Sequence, residues 1–84
     1  MKDLKQTAKY MSSLLYQDRF KAEYWQVKIR LERLNDTIEK YKAGTLDFKP
    51  DCSVEILEEQ AKIMDDYLTI LKVRAELEGI TLDV

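Results

Sequence analysis

Two apolar rows with mirrored spacing constrain this chain more than any other feature. Phe20, Tyr24, Val27, Leu31, Leu34, Ile38 and Tyr41 succeed one another at intervals of 4-3-4-3-4-3. Val54, Leu57, Ala61, Met64, Leu68, Leu71 and Ala75 are spaced 3-4-3-4-3-4. Each row marks one face of a helix, because residues three and four apart are neighbours on a helical surface. Folding the chain back near Asp47 and Phe48 sets Phe20 level with Ala75, Tyr24 with Leu71, Val27 with Leu68 and Leu31 with Met64. Leu34 then meets Ala61, Ile38 meets Leu57 and Tyr41 meets Val54. Seven layers without a register error predict an all-α fold, an antiparallel two-helix hairpin.

Punctuation along the chain sets the boundaries. Residues 1–15 hold a short N-terminal helix over 3–14, with Leu4, Ala8, Met11 and Leu15 on one stripe; Ser12 and Ser13 interrupt it and cap the next helix. The first long helix occupies 16–43, and Gly44 terminates it, since glycine takes positive φ without penalty. Residues 44–52 connect, with Leu46 and Phe48 expected over the closed end of the hairpin. Asp51 or Ser53 caps a second long helix within 53–79, whose early Glu55, Glu58 and Glu59 suit its positive end. Gly79 ends it. Ile80, Leu82 and Val84 then alternate with polar residues, the period of an extended tail over 80–84. All 84 residues are expected to form a single domain.

Charge and composition exclude several function classes. Histidine is absent and Cys52 is the single cysteine, so neither a zinc site nor a Cys-His nucleophile is expected. No carboxylate pair is set in an apolar pocket, so general acid–base catalysis has no support, and the chain reads as a non-enzyme without cofactor or metal. No apolar run approaches the roughly 20 residues of a membrane span, and no signal-peptide core is present; a cytoplasmic protein is the expectation. Residues 1–49 carry eleven Lys/Arg against seven Asp/Glu, residues 50–84 three against nine. That asymmetry fits two helices complementing each other and lacks the dense basic face of a general nucleic-acid binder.

A small hairpin buries little surface, and its second helix has apolar residues to spare. Ile56, Ile63, Tyr67, Ile70 and Leu77 form a second stripe, and Trp25 and Ile29 lie off the first helix's seam. Such faces mark partner surfaces, so the chain is expected to form a homo-oligomer through the hairpin, buried around Trp25, Ile29, Ile63, Tyr67 and Ile70. At the open end the register gathers Tyr16, Arg19, Glu23, Arg74, Glu76 and Glu78. Two guanidiniums and a ring near a helix start suit a phosphate or nucleotide. The competing reading is structural: Arg19–Glu23 and Arg74–Glu78 as i,i+4 pairs, with Arg19–Glu76 across the helices. Lys28, Arg30 and Arg33 form a second basic cluster, read first as a solvated face.

The segments YQDRFKAEYWQVKIRLERL (16–34), KAGTLDFKPDC and ILEEQAKIMDDYLTILKVRAELEGI resemble a family of small phage and prophage proteins related to a crAss-like phage gene product. The resemblance covers residues 16–80. In size and layout the hairpin is also similar to phage sponges, small helical oligomers that capture cyclic-nucleotide signals of bacterial immunity between subunits. That likeness implies a ligand site of Tyr16, Arg19 and Lys28, to which the register adds Arg74, and a cyclic or ADP-ribose-type nucleotide sequestered in the host cytoplasm. An anti-CRISPR-like inhibitor or adaptor, or a scaffolding phage oligomer, are the alternative functions.

Overall fold

A computed structural model describes residues 1–83 and shows three helices: α1 (Leu4–Met11), α2 (Tyr16–Ala43) and α3 (Val54–Glu78). No strand occurs among the described residues. Each boundary has a local cause. Asp3 accepts from the Gln6 N–H (2.9 Å) at the start of α1. Ser53 accepts from the Ile56 N–H (3.4 Å) at the start of α3. Gly44 and Gly79 close α2 and α3 in the left-handed conformation, φ 72° and 70°. The N–H of the residue after each glycine returns to the last turn, Thr45 to Lys40 O and Ile80 to Ala75 O. α2 has no side-chain cap. Ser13 instead accepts from the Leu15 N–H in the turn before it, so its role as a cap for α2 is corrected.

α2 is the central element. α1 and α3 each pack on it, and α1 does not pack on α3. Phe20, Tyr24 and Leu31 of α2 join Leu68, Leu71 and Ala75 of α3 in one buried cluster, flanked by Val27, Ala61 and Met64. The polar contacts between the two helices run in opposite order: Tyr16 meets Glu78, Glu23 meets Tyr67, and Lys42 meets Glu58. The short helix ends at Met11, three residues earlier than expected, and packs through a different stripe. Thr7 is fully buried, while Ala8, Met11 and Leu15 are exposed. The Thr7 hydroxyl donates to the Leu4 carbonyl (2.7 Å), which satisfies it without water.

With α2 covered from two sides, residues off its α3 seam are also buried, Ala22 completely and Ile29 to 8% exposure. Trp25 is half-buried and packs against the main cluster beside Ile80 and Leu82. Its indole N–H donates to the Leu82 carbonyl (2.6 Å), so the tail lies along its own chain. The sequence placed Trp25 and Ile29 at a subunit interface; within the single chain Ile29 is buried and Trp25 is partly covered by the core and the tail. On α3 the second stripe stays bare, with Ile56, Ile63, Tyr67, Ile70 and Leu77 all exposed. Leu46 is half-buried but Phe48 is 58% exposed, so only the first covers the closed end. Val84, the last member of the tail's alternation, lies outside the described residues.

Candidate functional site

Tyr16 opens α2 and Arg74 lies one turn from the end of α3, so the antiparallel order brings them to the same end of the molecule. The Arg74 guanidinium is fixed by three groups. Its Nε donates to Glu78 (3.3 Å), its Nη2 donates to the Tyr16 oxygen (3.2 Å), and its carbon centre lies 5.0 Å from the centroid of the Phe20 ring. The Tyr16 hydroxyl in turn donates to Glu78 (2.6 Å). The Tyr16 and Phe20 rings are tilted, 6.1 Å apart. Arg74 is nevertheless 46% exposed as a side chain. Among the described residues its Nη1 and the second Nη2 hydrogen have no partner, which leaves an oriented donor edge toward solvent.

The electrostatics reflect this geometry. The hydrogen bond to the Glu78 carboxylate, aided by partial desolvation and by that negative charge, raises Tyr16 above the usual phenol range. Arg74 opposes the rise. Desolvation pulls the Arg74 guanidinium down, and the hydrogen bond and charge of Glu78 together with the Tyr16 oxygen more than reverse it. Tyr16 therefore stays a neutral phenol and Arg74 a full cation across physiological pH.

Not all of the expected ligand residues meet here. Arg19 turns away and donates from Nη1 to the Ser13 carbonyl (2.9 Å), tying the α1–α2 turn. Neither Glu23 nor Glu76 holds it. Glu23 accepts instead from the Tyr67 hydroxyl. Lys28 sits farther along α2, its ammonium 4.8 Å from the Trp25 ring and 5.9 Å from the Tyr24 ring. Tyr24 and Trp25 meet edge to face, with centroids 5.6 Å apart. Tyr16 and Arg74 thus form one cluster, while Arg19 and Lys28 serve two others. The i,i+4 pairing of Arg74 with Glu78 holds as expected. The Trp25–Leu82 bond and the Glu23–Tyr67 bond were not legible, although Trp25 and Lys28, three apart on one helix, share a face.

The chain matches the Sequestin family model over residues 14–77, from the turn before α2 to the end of α3. The chain belongs to the Sequestin family. The match spans nearly all of both long helices and so includes Tyr16, Phe20, Arg74 and the α2–α3 seam, leaving the whole of α1 and the tail outside it. Neither the curated proteins nor the solved structures give a match for this Sequestin chain.

Two concavities lie elsewhere. One of about 440 Å³ lies at the opposite end, lined by Tyr41, Gly44, Leu46, Asp47, Phe48, Lys49 and Pro50. Another, of about 290 Å³, lies between Lys9, Tyr10, Ser13 and Asp18. Each pairs a single lysine with an aspartate and offers no forked donor, so the Tyr16–Arg74 end carries the stronger chemistry for an anion. Among the described residues no group of His, Cys, Asp and Glu is placed to hold a metal, and no helix is long and apolar enough to cross a membrane.

Proposed function

We propose that this chain sequesters a small anionic ligand, a cyclic or ADP-ribose-type nucleotide, at the end formed by Tyr16 and Arg74. The observation that carries the reading is the pre-set guanidinium. Arg74 is held by Glu78, Tyr16 and the Phe20 face, yet keeps a donor edge exposed. Forked N–H donors fit phosphate oxygens, and orienting them beforehand lowers the entropy lost on binding. The half-exposed Tyr16 ring offers a face for a base. The family name supports capture of a ligand rather than its conversion.

In this reading the protein is a stoichiometric binder, not an enzyme. It is phage-encoded, works in the bacterial cytoplasm, and lowers the free concentration of a nucleotide signal of host immunity. It acts as a homo-oligomer joined through the bare row of α3 that includes Ile63, Tyr67 and Ile70. That same row favours two alternatives, an inhibitor or adaptor that docks α3 on a host protein, and a scaffolding oligomer. Heating the purified protein and analysing the released small molecules by mass spectrometry separates these readings. Release of a nucleotide, with a raised Tm when it is added back, supports sequestration. A protein that releases none, and whose Tm no nucleotide raises, contradicts it.

A further inference from the structure

Three hydrogen bonds close a triangle at the open end of the hairpin. The Tyr16 hydroxyl donates to Glu78 Oε1 (2.6 Å), Arg74 Nε donates to Glu78 Oε2 (3.3 Å), and Arg74 Nη2 donates to the Tyr16 oxygen (3.2 Å). The charges of Arg74 and Glu78 cancel and the Tyr16 phenol is neutral, so the triangle has no net charge with which to hold an anion. Its hydrogen-bonding capacity is not used up. A carboxylate oxygen accepts two bonds, and within the triangle each Glu78 oxygen takes one. The bonds to Glu78 and Tyr16 use the Nε–Nη2 edge of the guanidinium, which leaves the Nη1 donors on the adjacent edge. The Glu78 side chain is 35% exposed and that of Arg74 46%, so solvent reaches both. Free acceptors therefore stand beside free donors. An approaching phosphate is attracted by Arg74 and repelled by Glu78, unless the same ligand also brings Glu78 a hydrogen to accept.

We propose that Glu78 accepts a ribose hydroxyl of the ligand while Arg74 takes the neighbouring phosphate, so that this end selects a ribonucleotide over its deoxyribose counterpart. This deepens, and rests on, the capture of a nucleotide proposed above. A ribose hydroxyl is a donor carried beside a phosphate on the same sugar, and a carboxylate accepting from it is the pairing that dinucleotide-binding folds use. Base, sugar and phosphate then meet the Tyr16 ring, Glu78 and Arg74. A hydrogen bond to an ionised acceptor is roughly twice as strong as one between neutral groups. The deoxyribose compound brings the same phosphates and leaves Glu78 facing them without a donor. Glu78 thus acts on the ligand in two ways: it holds the guanidinium in place, and it reads the sugar. The two are separable because the second changes sign with the ligand. Toward a ligand with a hydroxyl the carboxylate attracts, and toward a bare phosphate anion it repels.

The test is isothermal calorimetry of wild type and Glu78→Gln, with far-UV circular dichroism to verify folding. The probes are cyclic di-AMP, cyclic di-GMP and ADP-ribose, each beside the compound in which deoxyribose replaces ribose, and inorganic pyrophosphate. Wild type is expected to favour the ribose member of a bound pair by roughly tenfold. Glu78→Gln keeps an oxygen for the Arg74 Nε and loses the charge. It is expected to lose most of that preference and to bind pyrophosphate more tightly than wild type does. A wild type that binds both members of a pair equally overturns the ribose contact and leaves nucleotide capture standing, as does a Glu78→Gln chain that keeps the full preference. A Glu78→Gln chain that loses affinity for ribose compound, deoxyribose compound and pyrophosphate alike shows that Glu78 only holds Arg74, which also overturns the contact. A wild type that binds none of the nucleotides refutes capture, and the ribose contact with it.

Discussion

Tyr16 shows how one hydroxyl couples the two long helices. It donates to Glu78, which makes its proton worth more folded than unfolded, and the bond it accepts from Arg74 only partly offsets this. A group whose folded-state pKa is held above its unfolded value gives stability that is complete below the unfolded value. That stability is lost as pH rises through the folded one. Wild type is therefore expected to lose Tm more steeply than Tyr16→Phe as pH rises above about 10, since the variant has no phenol to ionise there. Parallel Tm–pH curves would argue against the assignment. Trp25 gives a second test at this scale. It is the single tryptophan, and the Leu82 carbonyl accepts its indole N–H. Deleting residues 80–84 is expected to shift its fluorescence emission to the red, and unshifted emission would show that the tail does not cover it. Arg19→Ala is expected to lower Tm slightly, through the lost bond to Ser13 O, and to leave any nucleotide binding in place.

The helices were legible because their signals are local and repeated. A heptad row names a buried face at every layer, and a glycine after a periodic run marks a helix end without reference to the rest of the chain. Leu71, at zero exposure in the centre of the cluster, carries the consequence. Leu71→Ala is expected to cost about 2–5 kcal/mol by chemical denaturation. Gly44→Ala meets no atom within 4 Å and strains only φ, so a cost of about 1–2 kcal/mol is expected. What stayed hidden depends on non-helical backbone. Arg19 is spaced to reach Glu23, but it donates to the Ser13 carbonyl, past the end of α1. Trp25 looks surplus on a helical wheel because its partner is a tail carbonyl, and carbonyls carry no sequence signal. Thr7 gives no apolar signal beside Ala8, because hydropathy ranks a threonine as polar. Its hydroxyl is satisfied inside its own helix, which frees the residue to pack.

At the scale of the molecule, 43 × 24 × 18 Å, α2 packs against both other helices and α3 against α2 alone. The charge asymmetry falls on this frame, with the basic half holding α1 and α2 and the acidic half holding α3. Arg74 is a cation on the acidic helix, and the fold sets it beside Tyr16 and Phe20 of the basic one. Whether this end captures a nucleotide is decided by isothermal calorimetry. Wild type, Arg74→Ala and Tyr16→Ala are titrated with a panel of cyclic dinucleotides and ADP-ribose compounds. Wild type is expected to give saturable heat with at least one compound. Both variants are expected to lose about tenfold or more in affinity with helicity unchanged. No heat with any compound, or equal affinity in all three proteins, would refute capture at this end.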